Sequence, residues 1–378
     1  MSHQTFHLFA RFQGQDLINR LDKLQELSQE TTNDEGQTLL HIAVLQRDLA
    51  LVSYLLGRGF NADQVDHHQQ SPLYLASSRG DSRILELLLT YSQKDNQSNE
   101  HGESVLMPAC QRGLLSIVDV VLDGEVSLDH IDIFGRHALI HTIIHGDGGY
   151  IYQEILRRLL RAGITKDLRD DFNRTALDYA RELDQAVIIQ LLEENPEAWE
   201  DGFDGIRYLL KNKKYGTALG KLQQEEESLK QKFFVGYTYY VMGQYRVAET
   251  YIQNIINEES HFIYTLALMA VLQDKIAIAP FYLELGDVKT RGGFFKYRRV
   301  QLNLDLGRYL DAYTLMQELI KDHPDRLDYV YLQATTLQRL GRWEEAFELM
   351  ERVRAALIQN PFFHQKIQQL KALQSIDN

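Results

Sequence analysis

The chain has few of the residues that mark several large classes of protein. Only one of its 378 residues is cysteine, Cys110, so no intramolecular disulfide can form. No run of apolar residues approaches the roughly 18 that a membrane span needs, and the N-terminal residues lack the basic and apolar regions of a secretion signal. These absences predict a cytoplasmic protein without a membrane anchor.

Proline is also scarce, and the charge is unevenly spread. Six prolines in 378 residues favour long helices over a turn-rich β fold. The net charge is −13, yet residues 1–200 hold 17 Lys and Arg against 31 Asp and Glu, whereas residues 201–378 hold 23 against 22. Fourteen of the 20 tyrosines follow residue 200. This asymmetry predicts two modules with different surfaces, and the acidic balance argues against a nucleic-acid partner.

The first half repeats itself at a period of 33 residues. A capping Thr or Ser opens four of the five units, at Thr38, Ser71, Ser104 and Thr175, and His137 replaces it in the fourth; a small residue follows five positions later, which is Thr142 in the fourth unit and Ala in the others. An apolar block follows in each unit, at Leu51–Leu56, Ile84–Leu89, Ile117–Leu122, Ile155–Leu160 and Ile188–Leu192. Two residues before each start lies a residue expected at a hairpin tip, namely Gly36, Gln69, Gly102, Gly135 and Asn173. Each unit therefore predicts a short helix, a tight turn and a second helix.

This pattern resembles the ankyrin repeat, whose signature is close to TPLHxA at period 33. Thr38-Leu-Leu-His41-Ile-Ala43 and Ser71-Pro-Leu-Tyr74-Leu-Ala76 match it best, and the resemblance extends over about residues 34–195. It implies that His41 bonds to the backbone of the adjacent loop. The fourth unit departs from the pattern, because five extra residues fall between its helices, within residues 145–153. Residues 1–33, with apolar Leu17, Leu21, Leu24 and Leu27, are predicted to form a capping helix.

The second half has a looser period. Gly307-Arg-Tyr309-Leu-Asp-Ala312 and Gly341-Arg-Trp343-Glu-Glu-Ala346 lie 34 residues apart, and weaker versions begin at Lys213, Gly243 and Gln273. The stronger pair resembles the tetratricopeptide repeat, which implies helical hairpins crossing closely at the small residue. We therefore predict an all-α, two-module solenoid: a capping region at 1–33, five ankyrin-like repeats at 34–198, and tetratricopeptide-like hairpins with a C-terminal capping helix at 199–378.

Motifs that would indicate catalysis or a cofactor are missing. The sequence has 13 histidines, but it contains neither the HExxH motif nor a CxxC pair, either of which would indicate a metal site. It also lacks a glycine-rich phosphate-binding pattern that follows a strand. His137, His141 and His145 share one helix face but lack further ligands. Cys110 lies where a small apolar residue is expected, which favours a buried thiol over a nucleophile. We expect no enzyme activity, no metal and no cofactor.

Two surfaces are candidates for partner binding. On the ankyrin-like half, the hairpin tips would expose an acidic row ending in aromatics, suited to a basic partner; its members are Asp34, Asp66, His67, Asp132, Phe134, Asp170 and Phe172. The acids could equally serve solubility. On the second half, an inner groove would be lined by Phe233, Tyr237, Tyr240, Tyr297, Arg298 and Tyr331. For any single tyrosine, a place in the core is the alternative.

The leading hypothesis is a non-catalytic adaptor or scaffold that binds a protein or peptide through each module. An inhibitory protein, such as a toxin-neutralising immunity protein masking a basic site, is the first alternative, and a peptide-sensing regulator is the second. The segment 289–299 combines five cations with three aromatic residues, a combination found in nucleic-acid contacts. In the other interpretation, the aromatic side chains pack inside the protein and the cations face solvent.

Overall fold

The computed structural model describes residues 14–22, 28–93, 98–124, 126–194, 203–273, 275, 277–289, 293–357 and 360–374. In these ranges the regular structure consists of 22 helices and two isolated β-bridges, Thr32 with Thr38 and Ser98 with Ser104. The predicted all-α class is confirmed. None of the described helices combines the length and the apolar character that crossing a membrane requires.

The first half contains a single helix followed by five helix pairs. Helix α1 (Gly14–Leu21) buries Leu17, Ile18 and Leu21, and the backbone N–H of Gly14 donates to Oδ2 of Asp48, 3.0 Å away. Leu24 and Leu27 lie outside the described residues. The pairs are α2 (Leu39–Leu45) with α3 (Leu49–Gly57), α4 (Pro72–Arg79) with α5 (Ser82–Leu89), α6 (Leu106–Arg112) with α7 (Leu115–Leu122), α8 (Ala138–Ile144) with α9 (Tyr150–Arg161), and α10 (Ala176–Glu182) with α11 (Ala186–Glu193).

Each pair has the features that the period predicts. The small residue of the first helix is fully buried in every unit, at Ala43, Ala76, Ala109, Thr142 and Ala180, so neighbouring pairs approach closely. The hairpin-tip residue has a left-handed backbone in all five units, with φ between 58° and 76°. Gln69 is among them although it is neither Gly nor Asn, because the loop around it supplies compensating hydrogen bonds.

The fourth pair takes up its extra residues in two places, not in the turn alone. Residues 145–149 separate α8 from α9, against two or three residues in the other pairs, and α9 is 12 residues long where the other second helices have eight or nine. Gly146 lets the longer turn pack tightly, because a Cβ there would overlap the Thr142 carbonyl oxygen and the Tyr152 ring. Gln185 donates from Nε2 to the carbonyl oxygens of Ile143 and Gly146.

The second half contains five further helix pairs and a last helix. They are α12 (Asp204–Lys211) with α13 (Tyr215–Leu222), α14 (Leu229–Val241) with α15 (Tyr245–Gln253), α16 (His261–Leu272) with α17 (Ala279–Lys289), α18 (Phe294–Asp305) with α19 (Tyr309–Asp322), α20 (Leu327–Arg339) with α21 (Trp343–Ala356), and α22 (Pro361–Gln374). In four of these pairs the second helix begins at the predicted aromatic residue, and in the third pair α17 begins at Ala279, four residues after the predicted Lys275.

The small residues predicted in the second half are also buried: Ala218, Ala248, Ala312 and Ala346 have no exposed surface. In the third pair the predicted position is Ile278, which is 43% exposed, and the next residue, Ala279, is fully buried.

The chain divides into two compact units. One consists of Met1–Asp170 with Arg174–Asp204, and the other of Asp171–Asn173 with Gly205–Asn378. The predicted boundary between residues 198 and 199 falls in 195–202, outside the described residues, and stays a prediction.

Candidate functional site

An Asn or Asp opens every hairpin of the first unit and shapes its backbone. In the first four hairpins, Oδ1 of this residue accepts hydrogen bonds from the backbone N–H groups two and four positions later, at 2.8–3.0 Å. In the fifth hairpin, Oδ1 accepts a hydrogen bond from the backbone N–H group four positions later, at 3.0 Å. The five residues are Asn33, Asp66, Asn99, Asp132 and Asp170. This side-chain turn satisfies loop donors that no helix or strand would satisfy.

This structural role overturns part of the predicted acidic surface. Asp66, Asp132 and Asp170 are buried, with at most 9% of their surface exposed, and Phe134 is 5% exposed. The prediction that these four residues are exposed at the tips was wrong. The three carboxylates turn inward to bond the loop. Phe134 lies beneath the Arg136 guanidinium, whose carbon is 5.2 Å from the ring centroid.

Several exposed tip residues of the first unit directly follow the loop-forming side chain. Asp34, Glu35 and His67 are exposed, and His68 pairs through Nδ1 with the Glu100 carboxylate at 2.9 Å. Phe172 is half-buried and is grouped with the second unit.

A backbone ladder joins successive tips of the first unit. His67 N–H donates to Glu35 O, Glu100 N–H to His68 O, and Ile133 N–H to His101 O, at 3.0–3.1 Å. Because of these bonds, the first four tips form one continuous, fixed row.

Polar side chains below this row form a network across three repeats. Tyr74 donates its hydroxyl to Glu103 at 2.6 Å, and Gln111 donates from Nε2 to Glu103 Oε1 at 2.6 Å. The same Gln111 amide contacts Nδ1 of His141 at 3.2 Å, and His141 Nε2 lies 3.0 Å from Oδ2 of Asp132. Burial alone would raise the pKa of Glu103, but neighbouring histidines and these hydrogen bonds hold the pKa below its usual range.

A second buried group joins the fourth and fifth repeats. Arg136 Nε donates to Asp170 Oδ2 at 3.3 Å, and Tyr179 donates its hydroxyl to the same oxygen at 2.5 Å. Both charged side chains are almost completely buried. Burial raises the pKa of Tyr179 to about 12, so its hydroxyl remains a donor throughout the neutral range.

Two buried histidines of the first unit contact backbone carbonyl groups of the following loop. His41 Nε2 lies 3.1 Å from the Gln70 carbonyl oxygen, as the family resemblance implies, and His137 Nε2 lies 2.7 Å from that of Thr165. Burial lowers the pKa of both rings. His141 and His145 stack with centroids 5.4 Å apart. In the part of the chain that the structure describes, no three His, Cys, Asp or Glu side chains are arranged to hold a metal ion.

Known proteins share this repeat. A family model of three ankyrin repeats matches residues 6–99. YahD, described as an ankyrin repeat protein of Escherichia coli (strain K12), is 30% identical over 163 residues, which make up 43% of this chain and 81% of YahD. This chain belongs to the ankyrin repeat family.

Two solved ankyrin structures are also similar. The ankyrin repeat protein EF0377 is 26% identical, with a TM-score of 0.48, over 50% of this chain and 96% of that protein. An ankyrin repeat domain from Acinetobacter baumannii AYE is 29% identical, with a TM-score of 0.45, over 47% of this chain and 90% of that domain.

Cys110 lies inside the ankyrin stack as a small core residue. It is fully buried in α6, and burial raises the pKa of its thiol to about 12. A thiol with so high a pKa supplies almost no thiolate at neutral pH. Its burial, which the sequence predicted, is confirmed.

Most of the predicted groove residues lie inside the second unit. Phe233, Tyr237, Tyr297, Arg298 and Tyr331 are at most 8% exposed, so the expectation that they line an open groove was wrong; Tyr240 is half-buried. The rings pack on one another, as Phe233 with Tyr237 at 6.0 Å and Tyr297 with Tyr329 at 5.3 Å. Aromatic spacing alone therefore does not identify the open face.

Two of the four described cations of the basic and aromatic segment 289–299 are paired with carboxylates. Lys296 Nζ lies 3.1 Å from Glu318 and 3.4 Å from Asp322, and Arg299 pairs with Glu284 and Asp287. Burial acts to lower the pKa of Lys296, but the two carboxylates raise it above its usual value. Residues 290–292 lie outside the described residues. These ion pairs favour a packing role for the described part of the segment.

Proposed function

We propose that this chain is a non-catalytic adaptor whose ankyrin repeats bind a partner protein through the exposed hairpin row. The observation that carries the proposal is the backbone ladder from Glu35 to Ile133, which holds four tips in one fixed row. A row that is ordered before binding loses little conformational entropy when a partner docks. Ankyrin repeats are protein-interaction modules, and they present extended surfaces for this purpose.

The inner helices are a weaker candidate for the contact surface. Every residue of α8 is buried, and the polar groups of Gln111, His141 and Asp132 are bonded to one another. A partner would have to break these bonds before making its own. The tips impose no such cost, because Asp34, Glu35 and His67 already face solvent.

The second unit supplies a further binding surface in this proposal. Its hairpins cross at small residues such as Ala248 and Ala312 and turn through left-handed Gly243 and Gly307, which supports the resemblance to tetratricopeptide repeats. The buried aromatics maintain the shape of the stack. Partly exposed side chains such as Tyr240 would make the contacts.

The exposed acids favour a basic partner. Asp34 and Glu35 are adjacent, exposed and at the start of the row, and complementary charge speeds association and selects the partner. The same observation supports the inhibitory alternative, in which this face covers the basic site of an enzyme. In that case an equimolar amount of this chain silences the enzyme it captures.

Affinity purification from the native host, followed by mass spectrometry, tests the adaptor proposal. The bait is the full chain, compared with a variant carrying Asp34→Lys and Glu35→Lys. A control carrying Asp123→Lys and Glu193→Lys reverses two exposed acids away from the tips. We expect a stoichiometric partner on the wild type and the control, and several-fold less on the tip variant. Absence of any stoichiometric partner on all three baits would refute the proposal.

A further inference from the structure

One side of helix α17 carries an apolar stripe that faces solvent. Its members follow one another at intervals of three, four and three residues, and they are Ile278, Phe281, Leu285 and Val288. Val288 is 86% exposed, more than any other large apolar side chain in the described part of the chain, and Phe281 is 63% exposed. Single exposed apolar residues are common on protein surfaces, whereas a continuous row of them marks a surface that a partner covers.

The opposite side of α17 is fixed in the core of the second unit. Ala279, Leu283 and Gly286 are buried, and a Cβ at residue 286 would overlap the Phe295 ring. This close contact holds the helix in its rotation, so the stripe stays on the outside. The helix begins directly after Ile278, whose carbonyl oxygen accepts hydrogen bonds from the first helical turn. All four apolar residues are therefore placed by ordered backbone.

The stripe has the register of a coiled coil. In the seven-residue repeat abcdefg, apolar residues occupy positions a and d. Ile278 and Leu285 take position a, and Phe281 and Val288 take position d. The buried Leu283 falls at position f, which lies opposite the apolar seam, as expected for a helix that is covered on its other side. These four apolar residues, the α17 seam, extend over about 15 Å and fit a second helix lying alongside.

The charged residues of α17 make the seam complementary to itself. Glu284 occupies position g and is 60% exposed, with Arg299 Nη2 3.3 Å from Oε1. Lys289 occupies position e, is exposed and donates from Nζ to Asn257. In a parallel helix pair, position g of one helix faces position e five residues later in the other, so Glu284 of each copy meets Lys289 of the other. An antiparallel pair would bring like charges together. Asp287, the third charged residue, is directed to Arg299 at 3.1 Å.

We propose that the α17 seam packs in parallel against the same seam of a second copy of this chain. Each copy then covers Phe281 and Val288 of the other, and two Glu284–Lys289 pairs flank the contact. A seam of this length gives an interface at the small end of the range for specific complexes, so the pairing is reversible and depends on concentration. The inference goes beyond the adaptor function and does not depend on it. Pairing gives the assembly two ankyrin rows, which strengthens binding to a partner with repeated sites.

Sedimentation equilibrium of the full chain, at concentrations up to about 0.5 mM, tests the pairing. We expect the average mass to rise from 43.8 kDa towards twice that value as the concentration increases. Phe281→Ser should lower the association constant about tenfold or more, whereas Tyr208→Ser, equally exposed on α12, should leave it unchanged. Both variants should keep the wild-type unfolding midpoint.

Two results of this measurement would overturn the proposal. The first is a chain that stays at 43.8 kDa throughout the series, as expected if the seam takes a helix of a different protein. The second is a Phe281→Ser variant that associates as strongly as the wild type.

Exchange of the flanking charges tests the second copy and its orientation. Glu284→Lys leaves only cations beside the seam and Lys289→Glu leaves only acids, so each should lower the association constant about threefold or more. An equimolar mixture of the two variants should regain association, because the cations of one variant then face the acids of the other. Single variants that associate like the wild type would contradict the parallel orientation. A mixture that associates no better than its components would contradict the pairing of seam with seam.

The charge exchange also separates pairing from damage to the fold. Glu284→Lys removes the contact of Glu284 with Arg299 in either case, and mixing cannot repair a contact within one chain. Association regained on mixing therefore reports the contact between copies alone.

Discussion

The ankyrin half and the helical hairpins after it stabilise a buried arginine in different ways. Arg136 pairs with the buried carboxylate of Asp170 and contacts the Tyr179 hydroxyl. Arg298 lies over the rings of Phe294 and Tyr264, 5.0 and 5.1 Å from their centroids, and donates to Gln301. Arg136 is thus paired with a carboxylate from a hairpin loop, whereas Arg298 is held by phenylalanine and tyrosine rings.

The largest expected effect is loss of the buried ion pair. Arg136→Met leaves the Asp170 carboxylate buried without its cation, which should lower the free energy of unfolding by about 3–5 kcal/mol. Arg298→Met removes cation–π contacts and should cost less, about 0.5–2 kcal/mol. Urea unfolding with hydrogen exchange localises each loss to its unit. Equal losses at the two positions would remove the distinction between the two halves.

Acid should weaken the second half through His261. Burial lowers the pKa of this ring to about 4, whereas a histidine in the unfolded chain titrates near 6.5. The unfolded chain therefore takes up the proton first. The stability from the neutral ring is fully present above pH 6.5 and is lost as the pH falls towards 4.

The size of this loss is set by the two pKa values and by a nearby acid. The difference between the pKa of His261 in the folded and unfolded chain corresponds to about 3 kcal/mol at most. The Glu259 carboxylate, 3.0 Å from the ring, reduces this loss because it stabilises the protonated histidine. His261→Leu should flatten the decrease in unfolding free energy measured between pH 7 and pH 4.5. An unchanged slope would show that other groups cause it.

The hairpin acids Asp132 and Asp66 should differ in how much their second carboxylate oxygen contributes to stability. Asp132→Asn places an amide donor where a carboxylate oxygen now faces His141 Nε2. If the amide flips, it loses the loop bonds instead. In both cases we expect the free energy of unfolding to fall by about 1–3 kcal/mol. Asp66 has no donor at Oδ2 within the described residues, so Asp66→Asn keeps the loop bonds of Oδ1 and should be neutral or slightly stabilising. Thermal unfolding of both variants measures the difference. A larger loss for Asp66→Asn than for Asp132→Asn would contradict the assigned roles.

The smallest effect concerns Cys110, a fully buried residue of the ankyrin core. The native thiol should react with a water-soluble disulfide reagent at least a hundredfold more slowly than in urea-unfolded chain, because it is buried and its pKa is raised. Cys110→Ala should then leave partner capture unchanged. Rapid labelling of the native protein would show that α6 opens.

Repeat spacing predicted the helix pairs well because stacking requires the same small residue and the same turn in each unit. The loop-forming Asn or Asp five residues before each unit, from Asn33 to Asp170, keeps the same spacing and was the signal that sequence reasoning missed. The inward turn of Phe134 depends on Arg136 and its distant partner Asp170, and no local pattern contains that pair. The second-half aromatics were misplaced for a similar reason, since burial there depends on which helices cover each ring.

The ladder of tip hydrogen bonds also gives the ankyrin half a mechanical character. Each rung joins only adjacent hairpins, so a force that pulls the first tip away from the fourth loads the rungs in series. A stack with nearest-neighbour contacts gives way one unit at a time. A side-chain contact accompanies each rung: His41 with the Gln70 carbonyl oxygen, His68 with Glu100, and His130 with the Gly102 carbonyl oxygen. A partner held at a single tip would therefore remain attached while a rung between other hairpins gives way.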